Sequence, residues 1–124
     1  MIGLLLVHLL AWAGLQAQEV IRVGVIGLDT SHSEAFIRLL NAADPEPQYA
    51  GFKVVAAYPY GSKTIESSVK RIPEYTEGAK KNGVKITSSI AELLRTVDCV
   101  LLETNDGTLH LEQAAEVIKS GKPL

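Results

Sequence analysis

The chain has little cysteine, few clustered basic residues and no apolar run long enough to span a bilayer. Its single cysteine among 124 residues, Cys99, excludes an intramolecular disulfide and a cysteine metal cluster. The net charge is −2 and the one dense basic patch is Lys80-Lys81, which predicts no nucleic-acid partner. His32 has no second histidine or cysteine nearby, so no metal site is predicted. The hydrophobic fraction of 47% suffices for one ordinary core.

The first eighteen residues carry no Asp, Glu, Lys or Arg. Their apolar block is about 14 residues long, shorter than the roughly 20 that span a bilayer, so no stable membrane span is predicted. It ends in Leu15-Gln16-Ala17, small at the last position as a secretory cleavage site requires. We therefore predict a signal peptide over residues 1–17, an exported (periplasmic or secreted) protein and a domain over residues 18–124. Because no Lys or Arg precedes the block and His8 interrupts it, a membrane-anchored or cytoplasmic protein is the alternative.

Strand and helix signals alternate from Val20 onward. Apolar, β-branched runs predict buried strands over residues 20–26, 52–58, 84–87 and 99–102, the last enclosed by Asp98 and Glu103. Two capping boxes, Ser31–Glu34 and Ser89–Glu92, each predict the start of a helix. Helical periodicity and stop signals predict three more helices, over residues 65–72, over 74–81 after Pro73, and over 108–120. Pro123 and Leu124 are expected to open a fifth strand. This order predicts an α/β, Rossmann-like, doubly wound parallel sheet in three α/β/α layers, incomplete at the C-terminus.

The apolar residues of two helices predict which face each one buries. The first helix is expected to turn inward Ala35, Phe36, Leu39, Leu40 and Ala43, and the last helix Leu111, Ala114, Ala115 and Ile118. Right-handed crossovers bring the carboxyl ends of parallel strands to one edge, where such sheets bind ligands. Residues 27–29, 58–61, 87–88 and 103–106 are therefore expected to converge.

Three segments carry a family resemblance: IRVGVIG (21–27), ITSSIAELL (86–94) and VDCVLLETNDGTLHLEQAAEVIKSGKPL (97–124). With them the chain resembles the N-terminal domain of the glucose–fructose oxidoreductase, inositol dehydrogenase and MocA (Gfo/Idh/MocA) family. The resemblance implies an NAD- or NADP-dependent oxidoreductase acting on a sugar, a cyclitol or a derivative, with the dinucleotide bound by this domain. The family's catalytic lysine and substrate-binding domain would lie beyond Leu124, so it implies no catalytic residue in this fragment and no activity of the fragment alone.

The turn after the first strand departs from the dinucleotide fingerprint GxGxxG. Gly27 supplies the first glycine, but Asp29 and His32 replace the second and third. At 4 Å, a carboxylate repels a phosphate charge by about 1 kcal/mol in water and about 4 kcal/mol at an effective dielectric of 20, so Asp29 must turn away. The backbone N–H groups of the helix that follows still favour an anion. The phosphate-binding candidates are Gly27, Leu28, Asp29, Thr30 and Ser31; the alternative is a capped turn that holds no dinucleotide.

The other strand ends supply the remaining cofactor candidates. Ser62 and Lys63 stand where an acid would hold the ribose of NAD, so they could meet the 2′-phosphate of NADP; alternatively, Ser62 caps an exposed turn. Tyr58 is a candidate to stack on adenine; alternatively, its ring only packs against neighbouring side chains. Thr104 and Asn105 are candidates for the nicotinamide side. His110 matches the family's histidine by context, although an exposed helix histidine explains it equally well.

Two other hypotheses stay open beside the oxidoreductase. The first is an exported, non-catalytic binding module that kept the fold and lost dinucleotide turnover, which the altered fingerprint favours. The second is a truncated product without activity of its own. The resemblance implies a sugar-like small-molecule partner and is compatible with a homo-oligomer. The sequence decides neither the substrate nor NAD against NADP.

Overall fold

The computed structural model describes residues 19–124, and the predicted signal peptide lies outside them. Within that range the strands are β1 (Ile21–Ile26), β2 (Phe52–Tyr58), β3 (Lys85–Ile86) and β4 (Cys99–Leu102). The helices are α1 (Ser31–Leu40), α2 (Glu66–Lys81), α3 (Ile90–Leu94) and α4 (His110–Lys119), with a 3-10 turn (Gly107–Leu109) before α4. None of the helices in this part of the chain is both long and apolar enough to cross a membrane.

The four described strands form one parallel sheet in the order β3-β2-β1-β4. Helix α1 packs beside α2, and α3 beside α4. Each pair covers its own apolar cluster, one containing Val25, Ile37 and Ala79 and the other containing Ile26, Leu93 and Val117. The predicted three-layer, Rossmann-like parallel sheet is therefore confirmed.

The chain returns to the free edge of β4 after α4. The Val100 N–H donates to the Pro123 carbonyl over 3.0 Å. Pro123 thus lies beside β4, where the sequence predicts that a fifth strand opens.

The predicted inward faces of α1 and α4 are wrong in part: Leu40 packs against the core and Ala114 and Ala115 are partly buried, but other predicted residues are exposed. Helix α1 buries Ser33 and Ile37 and leaves Ala35 and Phe36 exposed. Helix α4 buries Gln113 and Val117, whereas Leu111 is 83% exposed and Ile118 66%. Apolar periodicity failed because each buried face contains a polar residue with an internal partner. Ser33 Oγ donates to the Thr30 carbonyl over 2.7 Å, and Gln113 Nε2 donates to the Tyr60 carbonyl over 3.3 Å.

Pro73 does not separate two helices as predicted, because it lies inside the continuous helix α2. A proline removes one backbone N–H and disturbs the preceding turn, at about 3 kcal/mol in a helix interior. Pro73 is exposed, so its ring displaces no core residue. Ser68 before the proline and Ala79 after it are both buried, so the helix is anchored on either side of Pro73.

Of the two predicted capping boxes, the one at α1 is not formed and the one at α3 is formed in part. At α1 the box is wrong, because the N-cap is Thr30 and it makes no side-chain capping bond. At α3 the Ser89 hydroxyl accepts from the Glu92 N–H over 3.1 Å, as predicted. The Glu92 carboxylate, however, reaches back to the Ser88 N–H over 2.9 Å, one residue earlier than a capping box requires.

An ion pair joins the start of β1 to the residue before β4. Arg22 Nε and Nη2 donate to the two carboxylate oxygens of Asp98 over 3.0 and 2.7 Å. The Arg22 N–H also donates to Asp98 over 2.8 Å, and these bonds lower the pKa of Asp98 to about 2. The pair is exposed to solvent, so its main effect is to define how the two strands align.

Gly27 ends β1 and is required for two reasons. Its φ of +87° lies in the left-handed region, and a Cβ there would come within 2.6 Å of the Thr104 backbone nitrogen and Cα. Gly83 offers a matched comparison, since its φ is +76° but a Cβ would meet nothing within 4 Å. The turn after β1 can therefore approach β4 only with glycine at this position.

We expect Gly83→Ala to lower the free energy of unfolding by about 1 kcal/mol, the cost of a left-handed residue. Gly27→Ala should lose about 2–5 kcal/mol, because the collision with Thr104 adds to that cost. Urea denaturation followed by circular dichroism measures both variants. Equal losses would show that the close approach to Thr104 does not limit this position.

Candidate functional site

The carboxyl ends of the strands converge at one edge of the sheet, as the sequence predicts. The Gly27 N–H donates to the Tyr58 carbonyl over 2.9 Å, which joins the ends of β1 and β2. The Glu103 N–H donates to the Ile26 carbonyl over 2.8 Å, which joins the ends of β4 and β1. Since β1 lies between β2 and β4, its turn forms the floor of this edge.

Asp29 is completely buried, with 0% of its surface exposed. One carboxylate oxygen accepts from the Ser62 N–H over 2.8 Å, and the other accepts from the Asn105 N–H over 3.1 Å. The Asn105 side chain in turn donates to the Ser68 hydroxyl over 3.0 Å. We call Asp29, Ser62, Ser68 and Asn105 the Asp29 bridge. It connects the turn after β1 to the loop after β2, the loop after β4 and helix α2.

The bridge sets the direction of the Asp29 carboxylate. Both of its oxygens are bonded to loops that follow β2 and β4, and α1 has no side-chain cap from its N-cap residue. Gly61 packs against the carboxylate so closely that a Cβ there would lie 2.4 Å from Asp29 Cγ. The negative charge is therefore engaged by neighbouring loops and not by the first turn of α1.

A cavity of about 340 Å³ lies at the N-terminus of α1, between the turns that follow β1 and β4. We call it the α1 cavity. Its lining residues include Ser31, His32, Arg71, Glu103, Thr104 and His110. The first N–H groups of a helix have no intrahelical partner and carry a partial positive charge. Because Thr30 does not cap them with its side chain, they are available to an anion in this cavity.

One guanidinium, two imidazoles and one carboxylate line the α1 cavity. Arg71 lines it and forms no ion pair with any residue in the described range. His110 Nε2 lies 2.6 Å from the Thr104 carbonyl; a carbonyl only accepts, so this nitrogen carries the hydrogen. His32 Nδ1 lies 3.9 Å from the Glu103 carboxylate. Burial raises the pKa of Glu103, and the two imidazoles oppose that shift.

A second cavity, of about 430 Å³, lies at the ends of β2 and β3. The rings of Tyr58 and Tyr60 stack there with centroids 5.9 Å apart, and Lys63 Nζ lies 4.8 Å from the Tyr60 centroid. A hydrogen bond to Tyr60 raises the pKa of Lys63. Ser62 is only 1% exposed, and its hydroxyl accepts from the N–H groups of Thr64 and Ile65. That geometry fits the alternative of a turn cap; contact of Ser62 with a 2′-phosphate stays a prediction.

The predicted site residues thus fall into three groups around the edge of the sheet. Thr30, Ser31, Thr104, Asn105 and His110 line the α1 cavity. Tyr58, Ser62 and Lys63 line the larger cavity. Gly27, Leu28 and Asp29 are buried between them. The Leu28 side chain belongs to the core, so only its backbone can face a ligand.

Two charged residues of the α1 cavity were not among the cofactor candidates named from the sequence. Glu103 was nevertheless expected at this edge of the sheet, because it directly follows β4. Arg71 lies one helix turn after Ser68 on α2, and nothing in its local sequence separates it from an ordinary exposed arginine. The Thr104 hydroxyl is buried without a hydrogen-bond partner among the described residues.

Comparison with solved structures shows which proteins share this fold. UDP-N-acetylglucosamine 3-dehydrogenase GnnA from Acidithiobacillus ferrooxidans matches 82% of this chain with a TM-score of 0.56 and 19% identity. GenD2 from gentamicin A biosynthesis, solved in complex with NAD, matches 84% with a TM-score of 0.57 and 23% identity. The dehydrogenase MviM from Clostridium difficile matches 82% with a TM-score of 0.55 and 21% identity. The chain has the fold of these dehydrogenases.

This likeness confirms the fold that the sequence resemblance implies. The matches cover 26% of GnnA, 25% of GenD2 and 28% of MviM, so the chain spans about a quarter of each. No protein-family model matches the sequence, and a search of curated proteins finds no match either.

We expect Asp29→Asn to lower the free energy of unfolding by about 1–3 kcal/mol, because an amide can accept only one of the two buried N–H groups and its nitrogen opposes the other. Hydrogen exchange at Ser62 and Asn105 should accelerate with it. Asp44→Asn is the control, since Asp44 is exposed. Unchanged exchange at both amides would show that the carboxylate does not hold the loops together.

Proposed function

We propose that this chain is the dinucleotide-binding part of an NAD(P)-dependent oxidoreductase of the Gfo/Idh/MocA family, acting on a sugar, a cyclitol or a derivative. The shared fold supports the proposal, because the three similar structures are dehydrogenases and one of them was solved in complex with NAD. The sequence segments that resemble the family point the same way.

One observation carries the proposal: the N-terminus of α1 opens, without a side-chain cap, into the α1 cavity beside Arg71, which forms no ion pair within residues 19–124. The cavity lies between β1 and β4, where the strand order reverses and doubly wound sheets bind their ligands. A helix N-terminus and a guanidinium are two groups that bind phosphate oxygens well. A diphosphate fits this arrangement.

Asp29 is compatible with a diphosphate because its charge is directed elsewhere. Each of its oxygens is already bonded to a backbone N–H, and two such bonds spread the negative charge onto the loops after β2 and β4. The first turn of α1 keeps its partial positive charge. The sequence analysis requires the Asp29 carboxylate to turn away if a phosphate is to bind at this turn, and the Asp29 bridge meets that requirement.

The residues around the α1 cavity would each have a separate role. Arg71 and the first turn of α1 would bind the diphosphate, and Thr104 and Asn105 would place the nicotinamide. The cofactor would supply hydride transfer. His110, with Nε2 committed to the Thr104 carbonyl, would fix the loop after β4 instead of moving a proton through that nitrogen. Residues outside this chain would bind the substrate and transfer its proton.

A second candidate function is a binding module without redox turnover, and the Asp29 bridge favours it. The bridge ties the loop after β2 to the loop after β4 across the end of β1. An extended dinucleotide has to cross the same place to reach both cavities. In this candidate the bridge stays closed and the α1 cavity holds one anionic group, such as a phosphate.

Titration of the protein with NADH and NADPH, followed by cofactor fluorescence, tests the proposal. We expect binding, and Arg71→Gln should weaken it by about tenfold or more, because a hydrogen bond between charged partners is lost. Arg95→Gln, an exposed arginine at the end of α3, should leave the affinity unchanged. If neither cofactor binds at millimolar concentration but inorganic phosphate shifts the Ser31 and His32 amide resonances, the binding module is the correct function.

We also propose that the protein is exported through the signal peptide at residues 1–17, on the sequence pattern alone. The mature protein from the periplasm or medium should then begin at Gln18, which N-terminal sequencing would show. An intact N-terminus in the cytoplasmic fraction would contradict export.

A further inference from the structure

Helix α1 has an apolar surface that the described part of the fold does not bury. Ala35 is exposed, Phe36 is 37% exposed and Leu39 is only partly buried. Sequence periodicity predicts that these residues face the core, but the core positions of α1 are taken by Ser33 and Ile37. An apolar stripe on the outer side of a helix is typical of a surface that packs against another molecule.

A hollow of about 220 Å³ extends this stripe onto the sheet. Phe36 and Leu39 line it on α1, and Phe52 and Leu101 line it on β2 and β4. Among the described residues, none that lines the hollow is charged. We call Ala35, Phe36, Leu39, Phe52 and Leu101 the Phe36 face. Phe52 is 39% exposed, so the folding of residues 19–124 leaves both phenylalanines of the face open to an apolar partner.

Two opposite charges lie along one margin of the Phe36 face. Glu34 and Arg38 are one turn apart on α1 and directly precede Ala35 and Leu39 of the face. Their side chains are 36% and 63% exposed, and Arg38 Nη1 lies 3.5 Å from Glu34 Oε1. An exposed pair at this spacing within one helix contributes little. Both charges can therefore pair with a molecule that presents a cation opposite Glu34 and an anion opposite Arg38.

A second copy of α1 in antiparallel orientation presents these charges in the required order. When a two-fold axis passes α1 near Phe36, Glu34 lies opposite the partner's Arg38, and Arg38 lies opposite the partner's Glu34. Phe36 is close to the middle of Ser31–Leu40, so the two helices overlap along their whole length, about 15 Å at 1.5 Å per residue. A parallel two-fold pair would leave the charges on opposite margins of the interface, without these contacts.

We propose that the Phe36 face is the interface of a symmetric homodimer in which two α1 helices pack antiparallel. A two-fold contact uses the same surface on both copies, so this face supplies the apolar packing and both ion pairs. The α1 cavity lies at the N-terminus of the helix and shares no lining residue with the hollow beside Phe36. The dimer is therefore independent of dinucleotide binding.

The test reverses one charge at a time in the full chain and follows its mass by sedimentation velocity over a range of concentrations. We expect the unchanged protein to form a dimer. Arg38→Glu places like charges opposite each other at both symmetric positions, so it should raise the dissociation constant of the dimer about tenfold or more. Glu34→Arg should have the same effect. Because both side chains are exposed, the circular dichroism spectra of the variants should match that of the unchanged protein.

Mixing the two variants tests the antiparallel arrangement itself. The Arg38→Glu chain is acidic at both positions and the Glu34→Arg chain is basic at both, so a mixed dimer regains two opposite-charge contacts. We expect the mixture to associate at least tenfold more tightly than either variant alone. Carrying both substitutions in one chain should restore the homodimer.

Arg95→Glu is the matched control, because Arg95 is an exposed arginine at the end of α3, on the other side of the sheet, and its reversal changes the net charge equally. It should leave the dissociation constant unchanged. A monomer at every concentration would overturn the proposal. So would a dimer that Arg38→Glu does not weaken, or a mixture that associates no better than its components, since each would place the contact on another surface. The NADH titration is independent of these outcomes.

Discussion

The carboxyl-end edge of the sheet depends on the buried carboxylate of Asp29. Its oxygens accept from the backbone of Ser62 and Asn105, residues 33 and 76 positions further along the chain. A buried charge is tolerated only when it is hydrogen-bonded, so the loops after β2 and β4 are held in the positions that satisfy it. The shapes of the α1 cavity and the larger cavity beside Tyr58 both follow from where these loops lie.

The same carboxylate decides how much of a dinucleotide site is present. The GxGxxG turn uses a glycine at the second position so that phosphate can approach the backbone. Here Asp29 occupies that position, and its carboxylate points toward the loops after β2 and β4. The first turn of α1 has no side-chain cap. The helix N-terminus thus keeps free N–H groups that favour an anion, and the Asp29 bridge crosses the carboxyl-end edge of the sheet beside it.

Sequence patterns predicted the strands better than the helix faces or the site. Apolar runs located all four described strands, with β2 and β4 correct to the residue, because a strand covered on both sides must be continuously apolar. Helix faces failed where Ser33 and Gln113 are buried on internal hydrogen bonds. The convergence of the carboxyl ends of parallel strands correctly placed the candidate residues at one edge. The hydrogen-bond partners of Asp29 could not be predicted from local sequence, because they are set by tertiary contacts between distant loops.

The position of Pro123 affects how β4 meets other molecules. Among the described strands β4 is outermost, and its sequence, Cys-Val-Leu-Leu, is apolar. Pro123 occupies the Val100 donor with its carbonyl and, having no N–H, offers no hydrogen in return. The Val100 donor is therefore already paired by the segment that follows α4, which takes the place beside β4 that a neighbouring parallel strand would occupy.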